Sequence, residues 1–139
     1  TALQLLFTQC VEPWLEALGK PVLVFDYPAS QAALAKVLPR EDGVPVAKRF
    51  ELYYQGLELA NGFDELTDST VQRQRFEADN AVRVKQFSAP MLIDEYFLAA
   101  LEAGLPECSG VAVGVDRLVM LACGAKNIAD VSAFTIGYA

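Results

Sequence analysis

The period of the apolar positions changes along this chain, and each change marks an element. Between residues 2 and 18, Leu3, Leu6, Cys10 and Val11 recur near the 3.6-residue spacing of one helix face, with Pro13 predicting a break or a second start. Pro21 to Asp26 is a continuous apolar run of strand length that Tyr27-Pro28 should stop. Ser30 is placed to cap a short helical turn from Gln31 to Val37, and the polar stretch Pro39 to Gly43 reads as a loop. Two strands follow, Val46 to Tyr54 and Leu57 to Phe63, and the linker Gln55-Gly56 predicts a tight antiparallel hairpin. Ser69 with Gln72 has capping-box spacing and predicts a charged helix from about Thr70 to Lys85. Asp94 should cap another helix, with Tyr96, Phe97, Ala100 and Leu101 on one face and Gly104 and Pro106 ending it. A strand of small residues, Ser109 to Val115, then runs into an apolar helix that opens with Asp116-Arg117. A helical turn near Asn127 to Asp130 and a last strand near Val131 to Ile136 close the pattern. The expectation is one α/β domain of the α+β type: mainly antiparallel strands flanked by helices, without repeat or linker.

Composition narrows the chemistry. With 139 residues, 53% of them hydrophobic, the chain can bury a sizeable core. It contains no histidine, and Cys10, Cys108 and Cys123 form no C-x-x-C pair. That argues against a zinc site and against histidine-based triads and general bases. An odd number of scattered thiols fits a reducing cytoplasm better than secretion. No apolar run reaches membrane-span length, and no signal-peptide pattern opens the chain. Thr1 stands inside an amphipathic segment with no initiator methionine, which suggests a piece of something longer. The net charge of −7 speaks against a large nucleic-acid surface.

Two stretches carry candidate chemistry. In the first, Gly110 to Leu121, a small-residue strand meets a helix N-terminus beside Arg117. Backbone N–H groups, the helix dipole and a guanidinium at one corner suit a phosphate, and glycine admits it because no Cβ intervenes. The second stretch is the hairpin's return strand and the residues after it, Gly56 to Leu66. Glu58 sits in an otherwise apolar strand, where a carboxylate is costly unless paired or metal-bound. Glu65 follows seven residues later, and Asn61 between them could bind an amine or a hydroxyl. Two carboxylates can hold Mg²⁺ together with water and substrate phosphates; equally, Glu58 can face solvent and Glu65 can decorate a turn. Alternation puts Arg49 and Glu51 on one strand face, where a cross-strand ion pair is expected. The charge run Arg73, Arg75, Glu77, Asp79, Arg83, Lys85 reads as a solvated helix face. Trp14, Tyr53, Tyr54 and Phe63 read as core.

Together these stretches resemble the C-terminal half of a class II aminoacyl-tRNA synthetase catalytic domain of the lysine type. Gly110 to Leu121 looks like motif 3. Arg49 to Leu66 looks like the strand pair before it, written R-F-E-L-x-x-x-G-L-E-x-x-N-G-F-x-E-L in that group. Within the group, Pro28 to Ala35, Glu58 to Phe63 and Cys108 to Gly114 are similar to the elongation factor P β-lysine ligases, free-standing paralogues of the lysyl-tRNA synthetases. Lysyl-tRNA synthetases have Thr-Gly-Gly-Leu-Gly-Ile-Gly where this chain has Cys108 to Gly114, and end in a Phe-Pro stretch with an arginine where it has Ala133 to Ala139.

The resemblance implies ATP-dependent activation of (R)-β-lysine as an adenylate and its transfer to a lysine of elongation factor P. It implies ATP held by Glu58, Leu59, Gly114 and Arg117, and Mg²⁺ held by Glu58 and Glu65. The amino acid would lie against Asn61, Glu65 and Ala112, with Arg117, Glu58 and Glu65 as the catalytic set. Ala112 stands where the tRNA-charging relatives have a glycine. Motifs 1 and 2 are not recognisable, so residues 1–139 are expected to be the C-terminal part of a catalytic domain, inactive alone. The parent would be a cytoplasmic homodimer, with tRNA less favoured than a protein acceptor. Two alternatives stay open: a lysyl-tRNA synthetase fragment, and a non-catalytic synthetase-like binding module.

Overall fold

Alternation over residues 45–64, folded back at a two-residue turn, builds the centre of the sheet. The computed structural model describes residues 2–135. Its strands are β1 (Val22–Pro28), β2 (Val37–Pro39), β3 (Pro45–Tyr54), β4 (Leu57–Asp64) and β5 (Ser109–Val113). All pairings are antiparallel, in the order β1-β3-β4-β5, with β2 pairing the start of β3. The hairpin forms as the sequence predicts: Tyr54 pairs Leu57, and Gln55 and Gly56 have φ of 51° and 73°. Two successive positive φ values give the turn whose twist matches that of the flanking strands.

The helices are α1 (Ala2–Leu6), α2 (Glu12–Ala17), α3 (Ser69–Lys85), α4 (Glu95–Gly104) and α5 (Val115–Cys123). Pro13 does not break the first segment. A π-helical turn, Phe7–Val11, joins α1 to α2, and the Glu12 N–H bonds to the Phe7 carbonyl. Proline lacks an N–H, and the wider turn takes up the lost bond without ending the helix. The Asp94 cap holds, its carboxylate accepting from Phe97 N at 2.9 Å. The predicted turn near residues 127–130 forms as Ile128–Asp130, capped by Asn127.

Several expectations are corrected. β1 continues through Pro28, which it can do at a strand end on the sheet's edge where no ladder donor is required. The helix expected over 31–37 is a single turn, Ala29–Gln31, and Ser30 caps nothing. Ala33 turns to φ 50°, Ala35 bridges Glu65, and the chain enters β2, so tertiary pairing supplies the backbone partners a helix would have used. The cap of α3 is Asp68, not Ser69: its Oδ1 accepts from Thr70 N at 2.9 Å and Val71 N at 3.0 Å. A carboxylate both accepts these bonds and meets the positive end of the helix dipole. Gln72 is instead buried.

On α4 the buried pair is Leu98 and Leu101, while Tyr96 is 91% exposed and Ala100 faces solvent. Packing against α3, where Phe76 and Phe97 lie 6.2 Å apart, sets that face. Likewise the charges of α3 are not simply solvated. Arg73 pairs with Glu95, Arg75 donates to the carbonyls of Ala33 and Ala35, and Arg83 donates to that of Ala89. β5 stops at Val113, two residues early, because Gly114 caps α5. Residues 131–135 form no strand, and Ile136 lies outside the described residues. Among the described residues no helix is long and apolar enough to cross a membrane.

The core centres on Tyr27, Ala32, Ala35 and Ala47, with Val24, Val37 and Phe63 packed on it. Tyr53 is buried as expected, and Tyr54 and Phe63 are half-buried. Trp14 is 60% exposed, because α2 turns that side of the helix away from the sheet.

Candidate active site

Two irregularities gather the polar residues onto one face of the sheet. In β4 the register steps from Leu52↔Ala60 to Tyr53↔Glu58, leaving Leu59 as an extra residue. Glu58 and Asn61, three apart, would otherwise point to opposite faces; the bulge puts both beside Tyr53 and Glu51. In β1 the register shifts between Phe25 and Tyr27, at Asp26 with φ 57°, and Tyr27 comes to lie opposite Ala47 on that same face. Ala112 pairs Asn61 and Gly110 pairs Phe63, which extends the face onto β5.

Glu51 lies at the centre of this face, and the sequence reading gave it no functional role. It is 6% exposed. Its Oε2 accepts from the Tyr27 hydroxyl at 2.5 Å and the Tyr53 hydroxyl at 2.6 Å, while its Oε1 takes the Arg49 guanidinium. The Arg49–Glu51 pair therefore forms along one strand rather than across two. Arg49 also reaches Asn61 Oδ1 at 3.2 Å and the Gln31 carbonyl at 3.1 Å, and lies 4.7 Å over the Tyr27 ring. Phe7, on the π-helical turn, packs 6.3 Å from the Tyr27 ring and 5.9 Å from Tyr53. Burial, then the bond to Glu51, raises the pKa of both phenols and keeps them protonated donors.

A cleft of about 170 Å³ opens beside this network, lined by Glu12, Glu51, Glu58, Arg49 and the two phenols among others. Burial, then the neighbouring Glu51 charge, raises the pKa of Glu58, against the opposite pull of Arg117 and Arg49. A carboxylate pair in this condition gains from a cation placed between its members. Among the described residues no group of three or more carboxylates and thiols converges on one point. A magnesium ion there would thus complete its shell with water and phosphate oxygens.

The remaining candidates fall at the two ends of β4. At one end, Gly114 N donates to the Leu59 carbonyl at 2.9 Å, and Arg117, exposed on the first turn of α5, donates to the Glu58 carbonyl. A Cβ on Gly114 would stand 3.3 Å from Arg117 Cδ. At the other end, half-buried Glu65 extends its carboxylate over Gly110, occupying the space a Cβ there would fill. At about 3.3 Å per residue, Glu58 and Glu65 stand roughly 20 Å apart along the strand, so they do not share one ion. The structure joins Glu58 to Glu51, Asn61 and Arg117, and sets Glu65 apart with Gly110.

A family model for tRNA synthetases class II (D, K and N) matches residues 15–136. The chain belongs to that family. An antiparallel sheet flanked by helices, with a glycine-capped helix at its last described strand, is the class II synthetase-like arrangement the sequence predicted. Curated relatives are more specific. The protein of Proteus mirabilis (strain HI4320) named elongation factor P–(R)-β-lysine ligase is 57% identical over 136 residues. Proteins of the same name from Klebsiella pneumoniae (strain 342) and Salmonella paratyphi B are 55% and 56% identical. Each match covers 98% of this chain and 41% of the relative, so the chain spans about two fifths of their length.

Within this class II synthetase chain, the sequence signal that could have exposed Glu51 was the alternation that puts it on one strand face with Arg49 and Tyr53. The two-residue turn alone would set Glu51 opposite Ala60, and the bulge at Leu59 moves it opposite Asn61.

Proposed function

We propose that this chain is the C-terminal part of the catalytic domain of an ATP-dependent ligase. That enzyme activates (R)-β-lysine as an adenylate and transfers it to a lysine of elongation factor P. The observation that carries the reading is identity of 55–57% over 98% of the chain to proteins of that name. The charged sheet face supports it, since Glu58, Asn61, Ala112 and Glu65 fall on the one face that Arg117 borders.

In this reading residues 110–121 are motif 3, and motifs 1 and 2 belong to sequence beyond this chain. Arg117 meets the phosphates of ATP at the α5 N-terminus, where Gly114 and the backbone of Glu58 and Leu59 leave room for the nucleotide. Glu58, paired with Glu51 rather than with Glu65, holds magnesium, which when bound neutralises phosphate charge. Asn61 and Ala112 form the floor under the amino acid, and Glu65 receives an ammonium group at the far end. The substrate carboxylate attacks the α-phosphorus, the bond to the bridging oxygen breaks, and pyrophosphate leaves. The ε-amine of the acceptor lysine then attacks the acyl carbon, and AMP leaves. The chain's own groups position and neutralise, which suits a site without histidine. The parent is a cytoplasmic homodimer.

ATP–pyrophosphate exchange by the full-length protein tests this, comparing (R)-β-lysine with L-α-lysine. Preference for the β-isomer supports the ligase. Preference for α-lysine assigns the chain to a lysyl-tRNA synthetase, and no exchange with either leaves a binding module.

A further inference from the structure

The segment between β1 and β2 has no regular structure after Gln31, yet it touches the charged face at two places. The Gln31 carbonyl accepts from Arg49 Nη1 at 3.1 Å. Ala35 bridges Glu65, flanked by bonds from Leu66 N to the Leu34 carbonyl at 2.9 Å and from Lys36 N to the Asp64 carbonyl at 2.8 Å. Between these contacts Ala33 takes φ 50°, a conformation that costs an alanine free energy and persists only where surroundings hold it.

One side chain supplies that hold. Arg75, half-buried on α3, donates from a single Nη1 to the Ala33 carbonyl at 3.0 Å and the Ala35 carbonyl at 2.6 Å. Two charge-assisted bonds from one rigid guanidinium fix the spacing of these carbonyls, so the left-handed turn between them cannot relax. Arg75 touches neither Glu65 nor Arg49; it acts through the backbone that carries them.

We infer that Arg75 is a positioning residue: it clamps the Ala33–Ala35 backbone and thereby sets Glu65 at the amino-acid end of the site. This inference rests on the ligase reading for its kinetic consequence but not for its structural one. The clamp lies at the Glu65 end of β4, away from Arg117. Its loss therefore affects the two substrates unequally.

The test uses the full-length protein with Arg75→Ala and Arg75→Lys. Amide hydrogen exchange is expected to show faster exchange at Lys36 and Leu66 in Arg75→Ala, with α5 amides unchanged. In ATP–pyrophosphate exchange, KM for the amino acid should rise roughly tenfold or more while KM for ATP moves less than about twofold. Arg75→Lys should recover only part, because a strongly hydrated ammonium on a flexible stem holds two carbonyls less rigidly than the Nη1 of a fixed guanidinium. Unchanged protection at Lys36 and Leu66 overturns the clamp, and so does an equal rise in both KM values. A parent without exchange activity overturns the ligase reading instead, and the amide measurement still decides the clamp.

Discussion

The Tyr27 hydroxyl donates to Glu51 Oε2 at 2.5 Å, across 24 residues of sequence, and Tyr53 donates to the same oxygen. A carboxylate this buried is tolerable only because three donors surround it. Tyr27→Phe or Tyr53→Phe should each cost about 1–3 kcal/mol in urea unfolding of the full-length protein. The double variant should cost more than the sum, because the second removal leaves Oε2 with no donor. Additivity within about 0.5 kcal/mol would falsify the shared-oxygen account.

Two glycines on opposite faces of the sheet predict different phenotypes. A Cβ at Gly62 would overlap the Phe50 ring and stand 2.9 Å from the Gly110 carbonyl, both fixed in the sheet. Gly62→Ala should therefore destabilise by about 1–3 kcal/mol. At Gly110 the obstacle is the Glu65 carboxylate, the far end of a flexible chain. Gly110→Ala should keep its thermal midpoint while exchange activity falls, because Glu65 is displaced. Equal loss of stability in both would count against this assignment.

Glu58 gives a pH signature. Its pKa is raised above 4.5, first by burial and then by Glu51, so the folded state binds its proton more tightly than the unfolded state does. Stability is then lost as pH rises through the carboxylate range. Glu58→Gln should be more stable than the parent near pH 7. That advantage should shrink as pH falls toward 4.5, measured by urea midpoints at each pH. With Glu58 as the proposed magnesium ligand, added magnesium and ATP should reverse the order at neutral pH, since the glutamine would bind the ion less well.

Ala112 faces Asn61 across the β4–β5 ladder. In the proposed site, removing its methyl enlarges the floor under the amino acid. Ala112→Gly should shift the ratio of kcat/KM for (R)-β-lysine and L-α-lysine toward the α-isomer by ~1–3 kcal/mol, read by competitive exchange. An unchanged ratio would place the selecting contact elsewhere.

The sequence alone determined the hairpin at Gln55-Gly56, the Asp94 cap, the helix bearing Arg117, and the antiparallel character of the sheet. Each of these depends on side-chain period or turn chemistry over a few neighbouring residues, so local physics suffices. The family was legible for the same reason, since its motifs are short and ordered along the chain. Tertiary structure alone decided the rest. The bulge at Leu59 rotates Glu58 onto Asn61's face, and the shift at Asp26 does the same for Tyr27; neither has a signature in the local pattern. Glu51 looked like half of a cross-strand ion pair until strand pairing surrounded it with two phenols from β1 and β3. Glu58 and Glu65 looked like partners until strand rise separated them. Arg75 looked solvated until α3 packed against the Ala33–Ala35 backbone. Which charges meet depends on register and on contacts between residues far apart in sequence, and those energies exist only once the chain has folded.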